Sequence, residues 1–166
     1  MDFYKGYIQT RNKKAIKEFK DGKNLVVLDW ARKFEEYAGV LKEGVVCVDV
    51  DDEESSDILL RILDDRGIKP YVIETPRGKH FLFADPEFEL TTNKTHCSTA
   101  IGLKVDIKLG TRNSYHILKY GGVKRPVLRD VDELPKLPKW LYPVKSNVDF
   151  THLEEGDGRN QALFNH

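Results

Sequence analysis

VVCVDVDDEESSDILLRILDDRG, residues 45–67, decides the fold. Its first six residues read as a strand. Strand side chains alternate faces, so Val46, Val48 and Val50 point one way and Cys47, Asp49 and Asp51 the other. In ESSDILLRILDDRG, Ile58, Leu59, Ile62 and Leu63 recur at helical spacing and Gly67 ends the helix. The valines can pack beneath that helix, which leaves Asp49 and Asp51 side by side on the opposite face, roughly 7 Å apart at two residues of rise. Two unpaired carboxylates so placed repel each other, and a divalent cation relieves the repulsion. Oxygen ligands on a rigid element suit Mg²⁺ or Mn²⁺. Asp52, Glu53 and Glu54 serve the N-terminus of the helix, where negative charge is favoured.

Outward from this unit, FYKGYIQ (3–9) predicts a first strand, and RNKKAIKEFKD (11–21) a short basic helix with Gly22 beyond its end. Asp29 is the expected N-cap of a helix through WARKFEEYA (30–38), where Trp30, Phe34, Tyr37 and Ala38 share one face. YVIETP and KHFLFAD flank the turn Arg77-Gly78 as a hairpin. GLKVDIKLG and SYHILKY, joined by GTRN, form a second candidate hairpin. The expected class is α+β with a largely antiparallel sheet.

The 166 residues are 40% hydrophobic and 33% charged, with no formal net charge. That composition suits one globular domain with its own core. The charges are segregated: a basic N-terminus, an acidic middle, and a second basic zone around Asp106. A neutral total therefore leaves a polyanionic partner open. No apolar run approaches the ~18 residues needed to span a membrane, and the N-terminus lacks a signal-peptide pattern. The two cysteines, Cys47 and Cys97, are too few for a disulfide framework or a Cys-rich zinc site. The expected setting is the cytoplasm, with reduced thiols and no zinc.

Two further stretches complete a chemistry. In KVDIKLG, Val105, Ile107 and Leu109 face the core, and Lys104, Asp106 and Lys108 face away. A third strand carboxylate beside lysines fits a metal-bound phosphate; a solvated Lys-Asp-Lys ladder is the plain alternative. In ETPRGKHFLF, Arg77 and Lys79 sit in or beside the turn and His80 begins the next strand. Arg and His are suited to phosphate oxygens. Acidic pair, basic turn with His, then Asp-Ile-Lys is what phosphoryl transfer needs.

These motifs resemble those of the archaeo-eukaryotic primase superfamily, specifically the primase–polymerase domains of phages, plasmids and other mobile elements. The acidic strand motif is VDVD (Asp49, Asp51), the His motif TPRGKH (His80), and the third motif KVDIK (Asp106). In the His motif the small residue is Gly78, with Lys79 before the His. The resemblance spans roughly Phe3 to Pro143. It implies an RRM-like sheet with helices on one face, joined to a smaller N-terminal α/β subdomain, with the active site in the cleft between them. It implies a catalytic domain over 1–145. A linker and the start of a helical C-terminal region then follow over 146–166, where EGDGRNQALF is similar to the segment opening such regions. A longer chain is implied, with a fused helicase left open.

The resemblance makes Asp49, Asp51 and Asp106 catalytic ligands of two Mg²⁺ or Mn²⁺ ions, and His80 a contact to the nucleotide's phosphates. Arg77 and Lys108 join them on chemical grounds. Tyr115 and His116 are candidates for stacking on the sugar or base, with packing on the core as the alternative. Arg11, Lys13 and Lys14 are candidates for template phosphates, with a solvated helix as the alternative. The implied activity is template-dependent transfer of a nucleotide from a dNTP or rNTP to a 3′-hydroxyl, on a DNA template and primer. Two other readings stand beside it. A rolling-circle endonuclease needs two metal-binding histidines separated by one residue, and His80, His96, His116, His152 and His166 include no such pair. An RRM-like binding module without catalysis displays aromatics on its sheet face, where this chain puts carboxylates.

Overall fold

The computed structural model describes residues 3–144, so the expected linker and helical start at 146–166 lie outside the described residues. In chain order the strands are β1 (Tyr4–Arg11), β2 (Lys14–Ala15), β3 (Tyr37–Leu41), β4 (Val45–Val50), β5 (Tyr71–Glu74), β6 (Lys79–Ala84), β7 (Lys94–Ser98), β8 (Lys104–Leu109), β9 (Tyr115–Tyr120), β10 (Val123–Lys124) and β11 (Val127–Arg129). The helices are α1 (Leu28–Ala31) and α2 (Glu53–Asp65). The strands form two sheets, ordered β11-β5-β6-β4-β8-β7 and β10-β9-β3-β1-β2, and every strand pairing is antiparallel. The α+β class with mostly antiparallel sheets is therefore as expected.

β4 lies at the heart of the larger sheet, and its alternation sorts the protein into layers. Val46, Val48 and Val50 pack with Leu59 and Leu63 of α2 and with Phe81, Phe83, Val105 and Ile107 of the flanking strands. Each such fully buried side chain contributes about 1.5–3 kcal/mol. The other face of the same strand carries Val45 and Cys47, which meet Phe3 and, from the smaller sheet, Tyr4 and Leu41. A third cluster (Ile8, Ala38, Val40 and Ile117) closes the far side of that sheet. α2 begins where expected. The Asp52 carboxylate accepts a hydrogen bond from the Ser55 amide at 2.8 Å, and Gly67 ends the helix at φ +70°. Among the described residues no helix is long and apolar enough to cross a membrane.

Three local expectations give way. RNKKAIKEFKD is not a helix: β1 turns back into β2, with Thr10 opposite Ala15 and Arg11 opposite Lys14. Asn12 and Lys13 take φ +52° and +69°, and their amides donate to the Glu36 carboxylate at 3.1 and 2.7 Å. Asn tolerates that backbone region, and the distant Glu36 supplies the acceptors that a local reading does not see. WARKFEEYA keeps only the end of a single helical turn, entered from Val27 and with Asp29 inside it. Tyr37 and Ala38 begin β3, whose five residues are all buried. A short continuous buried run fits a helix or a strand equally by periodicity, and here partners on both sides decide it.

The GLKVDIKLG–SYHILKY hairpin is also absent. β8 takes β4 and β7 as partners, and β9 takes β3 and β10. Residues 110–114 therefore carry the chain from one sheet to the other, and β9 and β10 complete a sheet begun by N-terminal strands. This crossover lies against another, at Lys42: a Cβ on Gly110 would stand 1.6 Å from the Lys42 carbonyl oxygen. No side chain fits there. Gly110→Ala is expected to cost on the order of 3 kcal/mol and to lower Tm by roughly 10 °C in a thermal melt.

Candidate active site

The antiparallel register brings the three sequence motifs into one row. On β4, Asp49 lies opposite His80 of β6 on one side and opposite Asp106 of β8 on the other. The strand alternation puts all three side chains on the face away from α2. One position earlier on that face, Cys47 lies opposite Lys108. Asp51 follows just beyond β4, at the start of the turn into α2.

Two cavities meet at this row. The larger, about 530 Å³, is lined by Asp49, His80 and Lys108 of the larger sheet, by Tyr115 and His116 of the smaller one, and by Asp51, Arg77 and Arg125 from connecting turns. The smaller, about 270 Å³, is lined by Asp49, Asp51 and Asp106 together with His96, Lys104 and Ser55. Asp49 and Asp51 are common to both. Asp49 is the more enclosed, with 14% of its side chain exposed against 44% for Asp51.

Each carboxylate has its own donor. Lys108 Nζ donates to Asp49 Oδ2 at 3.0 Å, and His80 Nε2 lies 3.3 Å from Asp49 Oδ1. Arg77 Nη2 donates to Asp51 Oδ2 at 2.6 Å. The His96 amide donates to Asp106 Oδ1 at 2.7 Å. Burial pushes the Asp49 carboxyl up, but His80 and Lys108 more than reverse this and hold it well below the ordinary carboxylate range. Burial opposes the charge of Lys108, while Cys47, Asp49 and Asp106 raise its pKa.

Behind His80 runs a buried polar chain. His80 Nδ1 lies 3.0 Å from His116 Nδ1, and His116 Nε2 lies 2.8 Å from the Tyr4 hydroxyl. Burial, with His80 and Lys108 close by adding to it, lowers the His116 pKa well below its usual value, so this ring is neutral. Burial likewise raises the Tyr4 pKa, and the phenol keeps its proton. With a neutral His80 ring the hydrogen bonds run in one direction. Tyr4 O–H donates to His116 Nε2, His116 Nδ1–H donates to His80 Nδ1, and His80 presents Nε2–H toward Asp49.

The turn that delivers Arg77 is sterically fixed. The Gly78 amide donates to Thr75 Oγ1 at 3.0 Å, and the Thr75 amide donates to the Gly78 carbonyl at 2.9 Å. A Cβ on Gly78 would stand 1.9 Å from the Val50 carbonyl oxygen. Lys79, read from sequence as part of the basic turn, is buried at 6% exposure. It donates to Ser56 Oγ at 3.0 Å and pairs with Asp57. It sits on the opposite face from His80, under α2, by the same alternation that exposes Asp49.

The remaining expected residues divide. Tyr115 lines the larger cavity, but its hydroxyl donates to the Lys13 carbonyl at 3.1 Å. His116 lines it too, yet the ring is buried and stacked on His80 at 5.2 Å between centroids. Lys13 reaches the same cavity. Arg11 lines a separate one of about 290 Å³ with Glu35 and Glu36, and Lys14 is exposed on β2. Sequence reasoning missed Arg125, which the β9–β10 hairpin brings to the larger cavity and whose pKa burial lowers. It lies outside any strand pattern, so only the long-range pairing reveals it.

The acidic row offers the ligand type of a hard divalent cation. All its side-chain donors are carboxylate oxygens, and all three residues line the smaller cavity. Among the described residues, the group of three His, Cys, Asp or Glu ligand atoms that closes to within 4.8 Å is a different one: Cys47, His80 and His116. No protein-family model, curated protein or solved structure matches the chain.

The Asp49 pKa gives a signed expectation. A carboxyl whose folded pKa is depressed adds stability above its unfolded pKa, and this is lost as pH falls through the folded value. In chelator, Asp49→Asn is expected to destabilise the protein by about 2 kcal/mol at neutral pH. Urea unfolding should show the gap between the two proteins narrowing below about pH 4.

Proposed function

We propose that this chain is the catalytic domain of a metal-dependent nucleotidyltransferase that copies DNA, a primase–polymerase. One observation carries the reading. Asp49, Asp106 and His80 are register neighbours on three adjacent strands, beside a cavity ringed by Arg77, Lys108 and Arg125. An acidic row alone repels a polyanion, and a cationic cavity alone is an ordinary anion site. Their junction serves a triphosphate whose charge must be held while one bond to phosphorus is exchanged for another. The order β4, α2, β5, β6, with the helix on one face and the acidic row on the other, supports the RRM-like sheet that the sequence resemblance implies.

In this reading the larger cavity receives the nucleotide and the smaller one the primer's 3′-end, with Asp49 and Asp51 between them. Asp49, Asp51 and Asp106 would hold Mg²⁺ or Mn²⁺. The chemistry such ions supply when bound is Lewis-acidic: a lower pKa for the attacking 3′-hydroxyl and neutralised charge on the leaving pyrophosphate. The chain does the rest. Arg77 and Lys108, now engaged with Asp51 and Asp49, sit at the carboxylates a cation would occupy, so releasing them frees two donors for phosphate oxygens. His80 offers an N–H, because His116 and Tyr4 fix its tautomer from behind. Tyr115 and Arg125 bound the far side of the cavity, where the sugar and base would lie.

The test is primer extension on a primed single-stranded template, with Mg²⁺ or Mn²⁺ and dNTPs or rNTPs. Asp49→Ala and Asp106→Ala are expected to lower incorporation at least about 100-fold. Arg77→Ala should act mainly on the nucleotide KM. Incorporation that survives both aspartate changes overturns the reading. DNA binding that needs no divalent ion, with no incorporation, assigns the chain instead to the non-catalytic binding modules.

A further inference from the structure

Cys47, His80 and His116 come from two sheets. Cys47 is on β4, His80 on neighbouring β6, and His116 on β9 of the smaller sheet. All three are buried, and one ligand atom from each lies within 4.8 Å of the others. The two histidines face each other through Nδ1 atoms 3.0 Å apart. Two nitrogens on one tetrahedral zinc ion stand about 3.3 Å apart at ordinary Zn–N distances, so the observed spacing needs little change. Each ring also has its other nitrogen engaged: His80 Nε2 by Asp49 at 3.3 Å, His116 Nε2 by Tyr4 at 2.8 Å. That is how metal-ligating histidines are held, a carboxylate or another polar group fixing the ring from behind. The donor set is one soft sulfur and two imidazoles, unlike the all-oxygen row beside it, and suits Zn²⁺ rather than Mg²⁺.

We propose that Cys47, His80 and His116 form a second metal site, selective for Zn²⁺-type ions, with a fourth position for a water from the larger cavity. This does not depend on the nucleotidyltransferase reading. On binding, a metal–sulfur bond forms and the Cys47 thiol proton leaves to solvent. The proton on His116 Nδ1 is replaced by one on Nε2, where the Tyr4 oxygen accepts it. No electron is transferred. The ion ties β4 and β6 to β9 and immobilises the His80 ring.

The probe is Co²⁺, followed by displacement with Zn²⁺, on the full chain freed of metal. The expected result is one equivalent of Co²⁺ with a sulfur-to-metal charge-transfer band and strong visible bands of a tetrahedral site. Oxygen-only binding at the acidic row gives no such charge-transfer band. Because Cys47 and Cys97 are the only cysteines, a band retained in Cys97→Ala comes from Cys47, with the site itself untouched. Cys47→Ala should lose the band, and the rise in Tm with Zn²⁺ should go with it. Tyr4→Phe should weaken Zn²⁺ binding about 10–100-fold. No charge-transfer band at saturating Co²⁺, or a band lost in Cys97→Ala, overturns the site. Neither result bears on primer extension in Mg²⁺.

Discussion

The registration of β4 between β6 and β8 is the constraint from which the rest follows. A strand has a period of two, so a slip of one residue on either side would send Asp49 into the apolar layer under α2 and bring a valine to the cavity. The buried half of the strand prevents that slip. Val46, Val48 and Val50 are locked against Leu59 and Leu63, and Phe81, Phe83, Val105 and Ile107 lock the neighbours in the same layer. The apolar core thus sets the positions of the charges on the opposite face. Asp49, His80 and Asp106 stand in line because hydrophobic side chains one residue away do not tolerate any other pairing.

Electrostatically the row balances itself through local partners. Asp49 is enclosed and is shared by Lys108 and His80, whereas Asp51 sits at the rim with Arg77. The buried carboxylate thus has two partners to the rim carboxylate's one, in keeping with the cost of burying an unpaired charge. Behind His80, burial is the largest of the causes that keep His116 and Tyr4 uncharged. The contacts from Tyr4 through His116 to His80 then give both nitrogens of the buried His116 ring a polar partner.

What could be read from the sequence follows from how local each signal is. The strand at 45–50, α2 with its Asp52 cap, and the 71–84 hairpin rest on alternation, helical spacing and turn chemistry within a few residues. All three are as expected. The first basic segment was misread because the acceptor that fixes its turn, Glu36, is more than twenty residues away. Tyr37 to Leu41 were misread in part because a short buried run has no period of its own. The β8–β9 hairpin failed because strand partners are chosen by the whole sheet, not by adjacency. The same distinction divides the candidate site. Asp49, Asp51, His80 and Asp106 are visible on their own strands, whereas Arg125 and the meeting of Cys47 with two histidines exist only once two sheets are packed together. Lys79 shows the reverse error, a cation that looked like part of the turn until alternation placed it under α2.

Asp49 and Asp51 form a wall common to two cavities. Occupants on either side of a shared charged wall are thermodynamically linked. A cationic or metal-bearing ligand in one cavity changes the potential felt in the other, and the second ligand must alter the affinity of the first by the same factor. Order of binding is then a matter of concentration and rate, while the coupling itself belongs to two carboxylates and needs no movement of the fold.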